Sequence, residues 1–175
     1  VTVSLVIGAL IGIPLGILLV VTRKNGIWSN TILHQVLNPI INILRSIPFI
    51  ILLIAIVPFT KLLVGTSIGT TAAIVPLTVY VAPYIARLVE NSLLEVDDGI
   101  IEAAKAMGAS PLQIIRYFLL PEALGSLILA ITTAIIGLIG STAMAGAVGG
   151  GGIGDLALVY GYQRFDTIVI VITVI

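Results

Sequence analysis

Long apolar runs without charge alternate along the chain with short polar stretches, and the spacing of the two predicts a bundle of membrane-crossing helices. Val1 to Thr22 carries no charged side chain, and at about 1.5 Å per residue it reaches roughly 33 Å as a helix, enough to cross a hydrocarbon core. Gly8, Gly12 and Gly16 recur every four residues and put three bare backbone positions on one face, where a second helix can come close. Pro14 is expected to kink this span. Residues 28–45 mix Ile32, Val36, Ile40 and Ile43 with Ser, Asn, Thr, His and Gln, the pattern of an amphipathic helix lying at the interface. The uncharged stretch 46–60 is only about 22 Å long as a helix, so Lys61 is expected to snorkel and the helix to extend to Val64. Pro48 and Pro58 shape its ends. A turn at Gly65–Gly69 leads to a third span, Thr70 to Ala86, whose Pro76 and Pro83 interrupt the hydrogen-bond ladder. Such breaks border transport pathways and also arise as packing kinks. Ala123 to Val148 is a fourth span, Asp155 to Asp166 reads as a polar connection, and Thr167 to Ile175 begins a fifth.

The interruption from Arg87 to Glu122 has a different character. It holds nine of the chain's charges, against totals of 8 Lys+Arg and 8 Asp+Glu, and is predicted to lie in water between membrane segments. Asp97 and Asp98 place carboxylates at the positive end of a helix from about Gly99 to Met107. Gly108 breaks it. Ser110-Pro111-Leu112-Gln113 restarts the chain with a capping serine, a proline suited to the first helical position and a glutamine three residues after the cap. Ile100, Ala103 or Ala104, and Met107 share a stripe on the first helix, and Leu112, Ile115 and Leu119 share one on the second. The prediction is a helix–Gly–helix elbow, in which Gly108→Asp would drive a charge into a packed bend.

Composition fixes the class. Hydrophobic residues make up 59% of the 175, charged residues 9%, and mean hydropathy is +1.25, whereas a water-soluble domain carries about 25% charged residues. The chain is predicted to be an all-α integral membrane protein. Its net charge is zero, and no basic–aromatic pattern points to nucleic acid. Without cysteine there is no disulfide framework or thiolate metal site. His34 is the one histidine, has no partner at ligand spacing and reads as a surface or interfacial residue. Gly149, Gly151 and Gly154 formally match a dinucleotide pattern, but no strand and βαβ unit surrounds them, so the run reads as a turn of unusual backbone angles. If the charged stretch is cytoplasmic, Arg23, Lys24, Arg45, Arg87, Lys105 and Arg116 share its side, and only Lys61 and Arg164 lie opposite. That agrees with the positive-inside rule and puts the N-terminus outside. The first run lacks the basic leader of a cleavable signal. With Val1 at its head and Ile175 in mid-run, the chain is expected to be one domain, 1–175, trimmed at both ends.

The elbow resembles the cytoplasmic loop of ABC importer permeases, whose pattern is Glu-Ala-Ala, three residues, Gly, nine residues, then Ile-x-Leu-Pro. Here Glu102-Ala103-Ala104, Gly108 and Phe118-Leu119-Leu120-Pro121 keep that spacing, with Phe118 where the family usually has Ile. Over nearly its whole length the chain resembles the permease subunits of D/L-methionine ABC importers, through RSIPFIILL (45–53), VGTSIG (64–69), AAIVPLT (72–78), IARLVENSLLE (85–95) and AVGGGGIG (147–154).

The resemblance implies a type I ABC importer permease fold of five transmembrane helices, the fifth truncated, with a cytoplasmic coupling-helix loop at 96–120. It implies a bacterial inner-membrane protein, a homodimer, that passes methionine through a pathway on the two-fold axis. It further implies two ATP-binding cassette subunits, which bind ATP and Mg while this chain binds no cofactor, and an extracytoplasmic substrate-binding protein at the face carrying 62–70 and 149–165. The coupling residues so implied are Glu102, Ala103, Ala104, Met107, Gly108, Ser110, Pro111, Leu120 and Pro121. For a small, partly apolar amino acid Ser141, Thr142 and Met144 are candidate pathway residues, although the same residue types serve plain helix packing. The residues themselves show no nucleophile–base pair, metal cluster or nucleotide loop. An ion channel would need a ring of charges or carbonyls at mid-membrane. An ion-coupled carrier would bury ionisable groups in its spans, and none lies in 1–22, 71–86 or 123–148. The alternative is a permease of an ABC importer for another amino acid or small solute, ahead of a non-ABC channel or secondary carrier; a structural membrane subunit, with the elbow as a scaffold contact, is a further reading.

Overall fold

The computed structural model describes residues 1–146 and 149–174, and these form helices joined by short turns. Among the described residues three helices are long and apolar enough to cross a membrane: α1 (Thr2–Thr22), α5 (Thr70–Leu94) and α9 (Leu124–Ala145). Between the first two lie α2 (Thr31–Ser46), α3 (Phe49–Ala55) and α4 (Val57–Val64). α2 and α3 meet the same criterion only when taken as one interrupted span. The continuous helix expected over 46–64 is therefore broken at Ile56. Pro58 is the physical cause, since it has no N–H to return to the preceding turn, and the chain resumes with that proline in the first turn of α4. α4 ends at Val64, the helix end expected from the sequence. Ala147 and Val148, expected at the end of the fourth span, and Ile175 in the fifth lie outside the described residues.

The chain forms two compact units. In the one made of residues 8–46 and 82–134, α1 and α5 run in the same sense and touch through bare backbone. A Cβ on Gly12 would stand 2.5 Å from the Ala82 oxygen and one on Gly16 2.6 Å from the Ala86 oxygen, so the glycine face is a helix contact. Leu19, Ile41 and Ala86 form a buried cluster with Leu15 and Leu37 against it. The turn after α1 folds back on that helix, with the Trp28 and Asn30 amides donating to the carbonyls of Val21 and Thr22 at 3.0 Å each. His34 is not a surface group: its half-buried ring places Nδ1 3.1 Å from the Leu19 carbonyl oxygen, fastening α2 to α1.

The other unit comprises 1–7, 47–81 and 135–175. Phe49 meets Tyr80 edge-on, ring centroids 5.3 Å apart. The stretch expected to be a polar connection is instead helical: α10 (Ile153–Asp155) passes into a π-helical turn at Leu156–Tyr162, and α11 (Thr167–Val174) follows. Its buried positions are Gly154 and Gly161, with Leu158 and Val159 half-buried beside them. Asp166 caps α11, its Oδ1 accepting from Ile168 and Val169.

Candidate functional site

The elbow begins where α5 ends. α6 (Asp98–Ala106) is capped by Asp97, whose Oδ1 accepts the Gly99 amide at 2.8 Å. At the other end the Gly108 amide donates to the Lys105 carbonyl at 2.9 Å and the Ala109 amide to the Ala104 carbonyl at 3.1 Å. This paired closure needs a left-handed residue between the helix and the onward chain, and Gly108 supplies it with φ +78°. Space around Gly108 is open, for nothing lies within 4 Å of where a Cβ would stand. Within this chain nothing packs against the bend, so what the chain itself asks of residue 108 is the backbone angle. Ser110 is extended, Pro111 opens α7 (Pro111–Ile114), and Gln113 Oε1 accepts the Ser110 amide at 2.8 Å.

A π-helical turn, Ile115–Leu119, then joins α7 to α8 (Leu120–Glu122). Pro121 donates nothing, and the Leu120 amide reaches back five residues to the Ile115 carbonyl. The extra residue turns the two sides of the junction by about 100° relative to each other. As a result the predicted stripe Leu112–Ile115–Leu119 does not exist. Ile114 and Leu119, one π turn apart, are the buried pair, each 2% exposed, while Leu112 is 73% exposed. On α6 the stripe splits likewise: Ala104 is fully buried and Met107 is 68% exposed.

The elbow thus has two sides. Ala104, Ile114 and Leu119 fix it to its own chain. Glu102, Ala103, Met107, Gly108, Ser110, Pro111 and Pro121 face outward with Leu112, and Leu120 is half-buried. Arg23 approaches Asp98 at 3.8 Å, and Ser126 donates to Glu95 Oε2 at 2.6 Å. Among the described residues no three His, Asp or Glu assemble as a metal-ligand set.

Sequence reasoning missed one cluster. Arg87 and Glu90, read as the start of a water-exposed stretch, belong to α5 and have side chains only 16% and 8% exposed. Arg87 Nη1 donates to Glu90 Oε2 at 2.6 Å, and Nη2 donates to Asn38 Oδ1 at 2.6 Å and Asn42 Oδ1 at 2.7 Å. The i,i+3 spacing of Arg87 and Glu90, with Asn38 and Asn42 one turn apart on an amphipathic helix, was the available signal.

The three pathway candidates lie in the last turns of α9. Ser141 is buried and its hydroxyl donates to the Gly137 carbonyl at 3.0 Å; Thr142 donates to Ile139 at 2.6 Å; Met144 is half-exposed. The glycine run is a turn with positive φ at Gly149, Gly151 and Gly152.

A family model described as binding-protein-dependent transport system inner membrane component matches residues 12–175. A probable D-methionine transport system permease protein, MetI, of Vibrio cholerae is 52% identical over 169 residues, which is 97% of this chain and 75% of that protein. The D-methionine transport system permease protein MetI of Escherichia coli K12 is 58% identical over 139 residues, 79% of this chain and 64% of that one. Among solved structures, an inward-facing conformation of the MetNI methionine ABC transporter superposes with a TM-score of 0.93 at 53% identity, covering 98% of this chain and 82% of its counterpart.

Proposed function

The chain belongs to the family of binding-protein-dependent transport system inner membrane components, and on that footing we propose that it is the membrane-spanning permease subunit of an ATP-driven methionine importer. The identity to D-methionine permeases supports the substrate, and the likeness to a methionine ABC transporter structure supports the coupling to an ATPase. The chain is a transport component rather than an enzyme.

The observation that carries the mechanism is the outward side of the elbow. Met107 and Leu112 are large, apolar and more than two-thirds exposed, on a segment that lies in water by its charge. They flank a capped, sharply bent backbone that is anchored from behind by Ala104, Ile114 and Leu119. Such a surface suits insertion into a groove of a second protein. In this reading a separate ATP-binding cassette subunit holds ATP and Mg and receives the elbow. Closure of two such subunits on ATP draws two elbows together and rocks the spans from inward-open to outward-open.

Two elbows require two permease chains, so the working unit is a homodimer of the 1–175 domain in the bacterial inner membrane, with a pathway on the two-fold axis. Substrate arrives from an extracytoplasmic binding protein at the face carrying 62–70 and 149–165, and Ser141, Thr142 and Met144 are the pathway candidates. Co-expression with the candidate ATPase, followed by reconstitution and labelled-methionine uptake, tests the reading. ATP-dependent uptake that prefers methionine is expected. Uptake without such preference would reduce the assignment to another importer, and absence of a stable complex with the ATPase would remove the mechanism.

A further inference from the structure

Asn38 and Asn42 stand one turn apart on α2 and offer their amide oxygens to the same guanidinium nitrogen of Arg87, at 2.6 and 2.7 Å. The positive charge needs neither of them for balance, because Glu90, three residues along α5, already holds Nη1 at 2.6 Å. What the two amides add is attachment of α2 to α5. The third guanidinium nitrogen, Nε, is buried without a hydrogen-bond partner, so the orientation of the fork depends on its Nη contacts. Ile41 and Leu37 supply apolar contact beside Leu19 and Ala86, but apolar contact permits sliding. A planar fork with directed hydrogen bonds does not.

The attachment lies on the route by which the elbow meets the spans. α5 carries Arg87 and Glu90 in the last two turns before its end at Leu94, and Asp97 then starts the elbow. α2, this end of α5 and the elbow belong to one compact unit. We propose that Asn38 and Asn42 are positioning residues of the transport cycle, which make α2 move with α5 when the elbow is displaced. The inference rests on the permease reading. Because Glu90 holds Arg87 independently of the amides, replacing the amides does not leave a buried charge without its counter-ion.

The test uses the intact complex of permease and ATPase in proteoliposomes, reading methionine imported per ATP hydrolysed. With Asn38→Ala/Asn42→Ala, assembly and ATP hydrolysis are expected to persist while the ratio falls about ten-fold, the order set by losing a charge-assisted hydrogen bond. Asn38→Ala/Asn42→Asp restores one oxygen acceptor for Arg87 Nη2 and is expected to recover most of the ratio. An unchanged ratio in the double alanine variant, no recovery with aspartate, or loss of assembly would each overturn the proposal and leave the cluster a packing contact. Failure of the unmodified complex to import methionine on ATP would instead strike the permease reading itself.

Discussion

A Cβ placed on Gly12 of α1 would lie 2.5 Å from the carbonyl oxygen of Ala82 on α5 and 2.8 Å from the Ile85 Cβ, so at this level the two helices are separated by no side chain. With few hydrophobic gains to draw on inside a bilayer, association depends on such close backbone approach. Gly12→Leu and Gly16→Leu are expected to force α1 away from α5 and destabilise the purified protein by at least about 1–3 kcal/mol. Gly125→Ala is the control, since a Cβ there meets nothing within 4 Å. Thermal inactivation in detergent reads the difference; equal midpoints for Gly12→Leu and Gly125→Ala would refute the contact.

Gly108 makes a different demand. Its φ of +78° excludes most side chains while its surroundings exclude none. Gly108→Asn is expected to be tolerated best, Gly108→Ala to cost about 1–2 kcal/mol locally, and Gly108→Val more, because branching at Cβ is least compatible with left-handed angles. Gly108→Asp should fall nearer Asn than Val in the stability of the permease itself, since nothing in the chain meets the added side chain. The thermal midpoint of the purified permease orders them, and an order set by size or charge would contradict the backbone account.

How far the sequence disclosed this architecture depends on the range of the cause. The glycine face of α1, the Asp97 cap and the Ser110–Gln113 restart follow from neighbours within a turn, and the structure has all of them. The elbow stripe was misread because a π turn at Ile115–Leu119 shifts the phase of everything beyond it. Leu112 and Leu119 obey the 3.6-residue period in sequence and face opposite ways in space. Arg87 failed for the opposite reason: its partners Asn38 and Asn42 lie 49 and 45 residues away, and a charge at the foot of an apolar run reads as solvated until its acceptors are known. Ser141, Thr142 and Met144 were chosen by residue type, and helix geometry alone does not separate pathway from packing.

The two sides of the elbow should separate in experiment. Met107→Glu and Leu112→Glu alter exposed positions, so folding stability is expected to change by no more than about 0.5 kcal/mol. Attachment of the ATPase should nonetheless fall strongly, because a carboxylate replaces an apolar anchor in a groove. Ala104→Leu acts from the fully buried side and is expected to cost about 1–3 kcal/mol in stability. Thermal midpoint and co-purification with the ATPase, measured on the same preparations, distinguish them. If Met107→Glu lowers the midpoint and spares co-purification, the outward side is not the docking side.

The pathway candidates make unequal claims on a passing substrate. The hydroxyls of Ser141 and Thr142 donate to carbonyls of their own helix, Gly137 and Ile139, a satisfied arrangement with little reason to exchange for a ligand. Ser141→Ala is therefore expected to shift stability by about 0.5 kcal/mol or less and to leave uptake unchanged. Met144 exposes half its surface near the end of α9 and is flexible and polarizable, properties suited to a thioether substrate. Met144→Ala is expected to raise KM for methionine several-fold, on the order of the roughly 1 kcal/mol that a sulfur or methyl contact provides, with ATPase attachment intact. Met144→Leu should keep most of the affinity. A KM that responds to Ser141→Ala and ignores Met144→Ala would move the pathway to the buried side of the helix.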